Sequence, residues 1–172
     1  PVARLVLNDV GPVTEWPSIQ RIQGYLGRTT PRFASEEEAA RALWAVSTSF
    51  GPHTPEQWLA LTRPQLRALP AAEGGGFALH FDPGIAVPLR QATEQTLRDA
   101  EPVVWALYEH ITAPTLLLRG AESDLLSAAT ARAMTERGPR ARLVEFPGVG
   151  HAPTLVAPDQ VDTVVSFLLG GG

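Results

Sequence analysis

Cysteine is absent and methionine occurs once, so the chain can form neither a disulfide nor a thiolate metal site. Positive charge is not in excess either. Fourteen Lys and Arg residues stand against eighteen Asp and Glu, a formal net charge of −4 with a pI near 5.5, which leaves no basic stripe for nucleic acid. No apolar run approaches the roughly 18 residues that a membrane span needs. The four histidines are far apart, with no H-x-x-x-H or H-E-x-x-H, so no metal site is expected. The glycine triplet 74–76 follows polar residues, and no helix with Lys-Ser/Thr comes after it, so it is no phosphate loop. These absences lead us to expect a cytoplasmic protein with no cofactor and no nucleic-acid or membrane partner. No signal peptide is visible. The chain opens at Pro1 directly ahead of an apolar run, so we expect its natural N-terminus to lie upstream.

What is present is organised around residues 114–153, PTLLLRGAESDLLSAATARAMTERGPRARLVEFPGVGHAP. This stretch reads as a buried strand (115–119), a turn ending at Asp124, a helix, a second strand (142–146) and a glycine turn carrying His151. A strand–helix–strand unit of this length is right-handed and parallel, so both strands end at the same sheet edge. Neighbouring strands lie roughly 4.8 Å apart, so side chains on the two following loops can meet. Asp124 and His151 are therefore candidates for an orienting acid and a base, and no nucleophile accompanies them.

Before this unit, residues 2–7 form an apolar run ending in Asn8, Asp9, Gly11 and Pro12, a buried parallel strand and its loop. A short helix is expected at 18–26, stopped by Gly27. Ser35 with Glu38 is a capping box, after which Ala39, Leu43, Val46 and Phe50 line one face. Thr54, Pro55 and Gln57 repeat the start signal. Residues 71–88 read as a loop with a short extended piece at 77–81, and 102–110 as a helix returning to the sheet. An amphipathic helix at 158–169 closes the chain, followed by a free glycine tail. The expected domains are 1–12 (strand and loop of the sheet), 13–110 (a helical lid) and 111–172 (the part carrying acid and histidine).

PTLLLRGAESDLL and VEFPGVGHAP, followed by a last helix and FLL, resemble the C-terminal end of an α/β-hydrolase, and RLVLNDVGP resembles the sixth strand of that sheet. The resemblance covers the whole chain but only the back half of the family's fold, with a helical cap inserted. In that family the nucleophile sits at a G-x-S-x-G elbow and is followed by the acid and then the histidine. No G-x-S-x-G occurs here. The resemblance implies a serine-type hydrolase acting on a small, fairly apolar ester, amide or carbon–carbon substrate, with the nucleophile in a missing N-terminal half and the isolated chain inert. An aspartate nucleophile, as in epoxide hydrolases and dehalogenases, is the alternative within the fold. A non-catalytic ligand-binding protein is the alternative outside it.

Among the candidates, Gly148, Gly150 and Pro153 flank His151, so its ring projects from a sharply bent loop. The resemblance makes it the general base. Asp124 is preferred as the acid, although it stands one residue further from Gly120 than the commoner family spacing. Glu122 and Asp9 are the alternatives. Dehalogenase-like members place the acid after the sixth strand, where Asp9 stands, but Asn8 and Asp9 also suit a simple turn. His53, His80 and His110 lack companion acids and read as surface or lid residues. Glu36, Glu37 and Glu38 read as solvated charges at a helix N-terminus. Trp44, Trp58 and Trp105 are the candidate substrate contacts. The first strand would be left with an unpaired edge, which invites the missing half or a second copy of the chain.

Overall fold

The computed structural model describes residues 2–25 and 31–170. The expected Gly27 helix stop and the tail beyond Gly170 lie outside that range. Two compact units emerge, one made of Pro1–Gln20, Ser49–Gly51 and Ala92–Gly172, the other of Arg21–Thr48 and Pro52–Gln91. Segments 13–20 and 92–110, assigned above to the lid, thus fall in the unit that holds the main sheet.

That sheet has three parallel strands, β1 (Leu5–Asn8), β5 (Thr115–Gly120) and β6 (Arg142–Phe146), in the order β1-β5-β6. Every residue of β5 is buried, as expected of a strand flanked on both edges and covered on both faces. Its period-two alternation separates two cores. Leu117 faces Trp105, Tyr108, Leu126, Ala131 and Met134. Leu116 and Leu118 face Phe146, Val149 and Phe167 on the other side. The helices α5 (Glu94–Glu109) and α6 (Ala128–Glu136) supply the first cover, and α7 (Pro158–Leu169) supplies the second. Among the described residues, β1 and β6 each pair along one edge only.

The first strand begins at Leu5 rather than residue 2, because pairing starts there: Leu5 N–H donates to the Pro114 carbonyl and Leu5 stands opposite Thr115. The returning helix also starts earlier than expected. Thr93 and Thr96 cap it reciprocally, so Pro102 lies inside the helix instead of opening it. Its C-terminal end is tied to α6 by Tyr108, whose hydroxyl donates to the Met134 carbonyl at 2.6 Å.

In the second unit, α2 (Glu36–Val46) is capped by Ser35, and α3 (Pro55–Thr62) by a Thr54/Gln57 box, both as the sequence implies. The Trp58 indole N–H donates to the Ala40 carbonyl at 2.7 Å and pins one helix to the other. The extended piece expected at 77–81 is β4 (Phe77–Leu79), which pairs antiparallel with β2 (Arg32–Phe33) and β3 (Leu66–Ala68), pairings the loop reading of 71–88 did not include. A short helix, α4 (Ala86–Gln91), follows. The glycine triplet makes the reversal between β3 and β4, with all three residues at positive φ.

Burial pushes the Tyr108 phenol above its ordinary value of 10.0, opposed in part by a backbone hydrogen bond to Ala141. The folded chain therefore holds this proton more tightly than the unfolded one. The resulting stability is complete below about pH 10 and is lost as pH rises through the folded value. Urea melts at pH 9 and pH 11 should show a larger alkaline loss for wild type than for Tyr108→Phe. At neutral pH that variant should be less stable by about 1 kcal/mol.

Candidate active site

Register decides which groups meet at the sheet edge. Asn8 stands opposite Leu118 in the β1–β5 pairing, and Asp9 N–H donates to the Leu118 carbonyl at 2.8 Å. Asp9 therefore arrives level with the last residues of β5, immediately beside the strand that leads to the acid turn. Its backbone lies in the left-handed region at φ 56°, which Asp and Asn tolerate better than other non-glycine residues. The carboxylate is fully buried. Its Oδ1 accepts from Gly120 N–H at 3.2 Å, and its Oδ2 lies 2.9 Å from His151 Nδ1.

The His151 loop is held from several directions. Ala121 N–H and Glu122 N–H donate to the carbonyls of Phe146 and Val149 at 2.9 Å each. The Asn8 amide donates to the Pro153 carbonyl at 2.9 Å, on the far side of the histidine. Gly120 must be glycine for this arrangement, since a Cβ there would sit 2.2 Å from the Gly150 carbonyl oxygen and 2.5 Å from that of Val149. Close approach, not turn geometry, fixes the residue. The imidazole keeps 25% of its side-chain surface exposed while the acid keeps none.

A carboxylate on Nδ1 places the ring proton there and leaves the lone pair on Nε2, the arrangement a general base needs. Asp124 is the carboxylate expected at this position, but the one that meets the ring is that of Asp9. Beyond Gly120 the chain turns at once, with Ser123 N–H donating to the Gly120 carbonyl. The Ser123 hydroxyl then accepts from Leu125 and Leu126 N–H. The turn carries Asp124 onto the exposed side, where its backbone carbonyl accepts from the Ser18 hydroxyl. Glu122 is exposed as well.

The three tryptophans part company. Trp105 is buried in the core under the Arg137 guanidinium, 3.7 Å from the ring centroid. It cannot touch a ligand without dismantling that core. Trp44 and Trp58 pack edge to face with centroids 4.8 Å apart, joined by His53. All three line a pocket of about 560 Å³ in the second unit, whose rim carries Glu37, Arg41 and Glu56. Hydrogen bonds from backbone N–H groups and from Ser35 and Thr54 at the two helix starts hold the Glu37 and Glu56 carboxyls below their ordinary range. Both carboxylates therefore stay ionised to lower pH than ordinary glutamates, beside the Arg41 guanidinium. His80 and His110 are exposed. Among the described residues no three His, Asp or Glu side chains are grouped to hold a metal ion, and no helix is long and apolar enough to cross a membrane.

A parallel sheet with a histidine loop and a buried acid at its carboxyl edge is the architecture of an α/β hydrolase. The model of the alpha/beta hydrolase family matches residues 1–164, and the chain belongs to that family. A 3-hydroxybutyrate-oligomer hydrolase of Cupriavidus necator is 42% identical over 170 residues, covering 99% of this chain and 58% of that protein. The crystal structure of an alpha/beta hydrolase from Novosphingobium aromaticivorans is 35% identical with a TM-score of 0.74, covering 99% of this chain and 57% of that one. E-2-(acetamidomethylene)succinate hydrolase, at 18% identity and a TM-score of 0.72, covers 98% of this chain and 58% of its own and shares the fold. The chain therefore spans somewhat more than half the length of the relatives it matches.

Two glycine substitutions separate close approach from ordinary helix propensity. Gly120→Ala forces backbone apart and should lower stability by about 1–3 kcal/mol or more. Gly24→Ala, near the end of helix α1 (Trp16–Tyr25) and with nothing within 4 Å of the new Cβ, should raise it by up to roughly 0.5 kcal/mol. Thermal melts of the two variants read both signs.

Proposed function

We propose that this chain supplies the general base and its orienting acid to an ester hydrolase, with His151 as the base and Asp9 as the acid. The observation that carries the reading is the 2.9 Å contact between His151 Nδ1 and a carboxylate that is fully buried and anchored by Gly120 N–H. Such a carboxylate selects the tautomer with a free Nε2 and stabilises the imidazolium that forms when the ring takes a proton. The nucleophile is a serine outside these 172 residues, since no G-x-S-x-G lies within them. Nε2 takes the hydroxyl proton as the serine oxygen attacks the ester carbonyl. It then returns that proton to the departing alcohol, and water reverses the sequence to release the acid.

The substrate is a small, fairly apolar ester, and a short oligoester of a hydroxy acid is the favoured form. Support comes from the oligomer hydrolase that is 42% identical. The aromatic pocket of Trp44, His53 and Trp58 offers apolar contact of the kind that selects substrates while the chemistry proceeds elsewhere. The companion chain segment is also the natural partner for the open edge of β1, because an unpaired strand leaves a row of backbone donors and acceptors.

In the full-length enzyme, His151→Ala should lower kcat by about a thousandfold or more. Asp9→Asn should cost about 10³ to 10⁴, through the wrong tautomer. Asp124→Asn should stay within about threefold of wild type, as expected for an exposed position. Steady-state hydrolysis of an activated ester checks all three, and a large loss at Asp124 with little at Asp9 would reverse the acid assignment. The isolated 172-residue chain should match the buffer blank. Trp44→Ala should shift relative rates between short and long esters; equal loss toward all esters in a folded variant would contradict a selecting role.

A further inference from the structure

The segment Ser49–Gly51 stands apart from the chain on both sides of it. It connects α2 to α3, and so lies between Trp44 and His53 of the aromatic pocket, yet its contacts group it with the sheet unit and not with those helices. Gly150 N–H donates to the Ser49 carbonyl at 2.6 Å, one residue ahead of His151. A Cβ on Gly150 would come within 2.9 Å of that same carbonyl oxygen. Gly51 turns the chain at φ +88°, where a Cβ would lie 3.0 Å from Val149 Cγ2 and 3.3 Å from the Gly148 carbonyl. Gly150 against Ser49, and Gly51 against Gly148 and Val149, leave room for the two segments to lie close together. L side chains rarely adopt the Gly51 conformation.

We propose that Ser49–Gly51 is a positioning strap for His151, a piece of the pocket-bearing connection that fixes the near side of the histidine loop. Asn8, through the Pro153 carbonyl, fixes the far side. The strap never touches substrate. It acts through Gly150, whose amide it holds, and so sets the height at which the imidazole meets Asp9. This inference rests on His151 being the base.

Hydrogen exchange at two protons, read by NMR on the 172-residue chain, tests the strap without any need for turnover. In wild type the Gly150 amide and the His151 Nδ1–H should both exchange slowly. Gly51→Ala should speed both by about tenfold or more, because local opening then replaces the closed contact. Gly75→Ala places the same kind of strain at φ +67° with nothing within 4 Å and should leave both unchanged. Should Gly51→Ala fail to fold, Ser49→Gly, which loosens the strap without adding atoms, carries the same test with a smaller acceleration. A Gly150 amide that exchanges freely in wild type overturns the proposal, as does a His151 proton indifferent to the strap variants. Absence of a slow His151 proton in wild type would instead defeat the assignment of His151 beneath it. In the full-length enzyme, Gly51→Ala should lower kcat for an activated ester with KM little changed.

Discussion

Everything at the sheet edge depends on satisfying one buried carboxylate. Leaving a charge away from water costs several kcal/mol unless its oxygens find partners, and Asp9 finds one for each: Gly120 N–H for Oδ1 and the His151 ring for Oδ2. Three segments far apart in sequence are thereby tied together. The requirement runs both ways. A histidine loop that drifted from the edge would leave Asp9 Oδ2 unmatched, and a shifted Asp9 would free the ring to rotate. The acid's left-handed backbone, at φ 56°, adds a local cost of about 1–3 kcal/mol, and strain of this kind gathers where function over-determines the geometry.

The sheet provides the rigidity that makes such a pairing reproducible. β5 is buried from end to end and flanked by β1 and β6, so the ends of all three strands are fixed relative to one another before any loop is placed. Gly120 then lets the His151 loop pass within contact distance of β5, where any side chain would push it away. Packing, register and close approach thus converge on one imidazole. The second unit is built by different means, from two short capped helices and a small antiparallel sheet. Its aromatic pocket is shaped by Trp58 bonding to Ala40 rather than by the strands of the main sheet.

Much of this was legible from residue order. The three main strands, the capping residues Ser35 and Thr54 and the glycine-bent histidine loop all follow from local chemistry that the fold leaves intact. Family membership was legible too, in PTLLLRG and in the glycine turn around His151. What failed was tertiary. Spacing places Asp9 and Asp124 alike just beyond strands at the same edge, and only the register, Asn8 against Leu118, decides that Asp9 lies beside the ring. The usable signal was the Asn8–Asp9 pair closing an apolar, half-buried strand, two residues that accept left-handed backbone, combined with a bare Gly120 opposite. Trp105 read as a ligand contact because an aromatic on a helix face is equally suited to a core. Of the small antiparallel sheet only the extended piece at 77–81 was legible, because its partners β2 and β3, of two and three residues, are too short for alternation to register. Pro102 disguised the start of α5, since proline is a common helix opener and an uncommon interior residue.

The pairing of Asp9 with His151 is open to direct observation. In the 172-residue chain labelled with ¹⁵N at histidine, the His151 Nδ1–H should appear as a slowly exchanging, strongly downfield proton resonance, as charge-assisted hydrogen bonds to a buried carboxylate produce. It should vanish or move upfield in Asp9→Asn and persist in Asp124→Asn. A resonance that survives Asp9→Asn and disappears with Asp124→Asn would contradict the account.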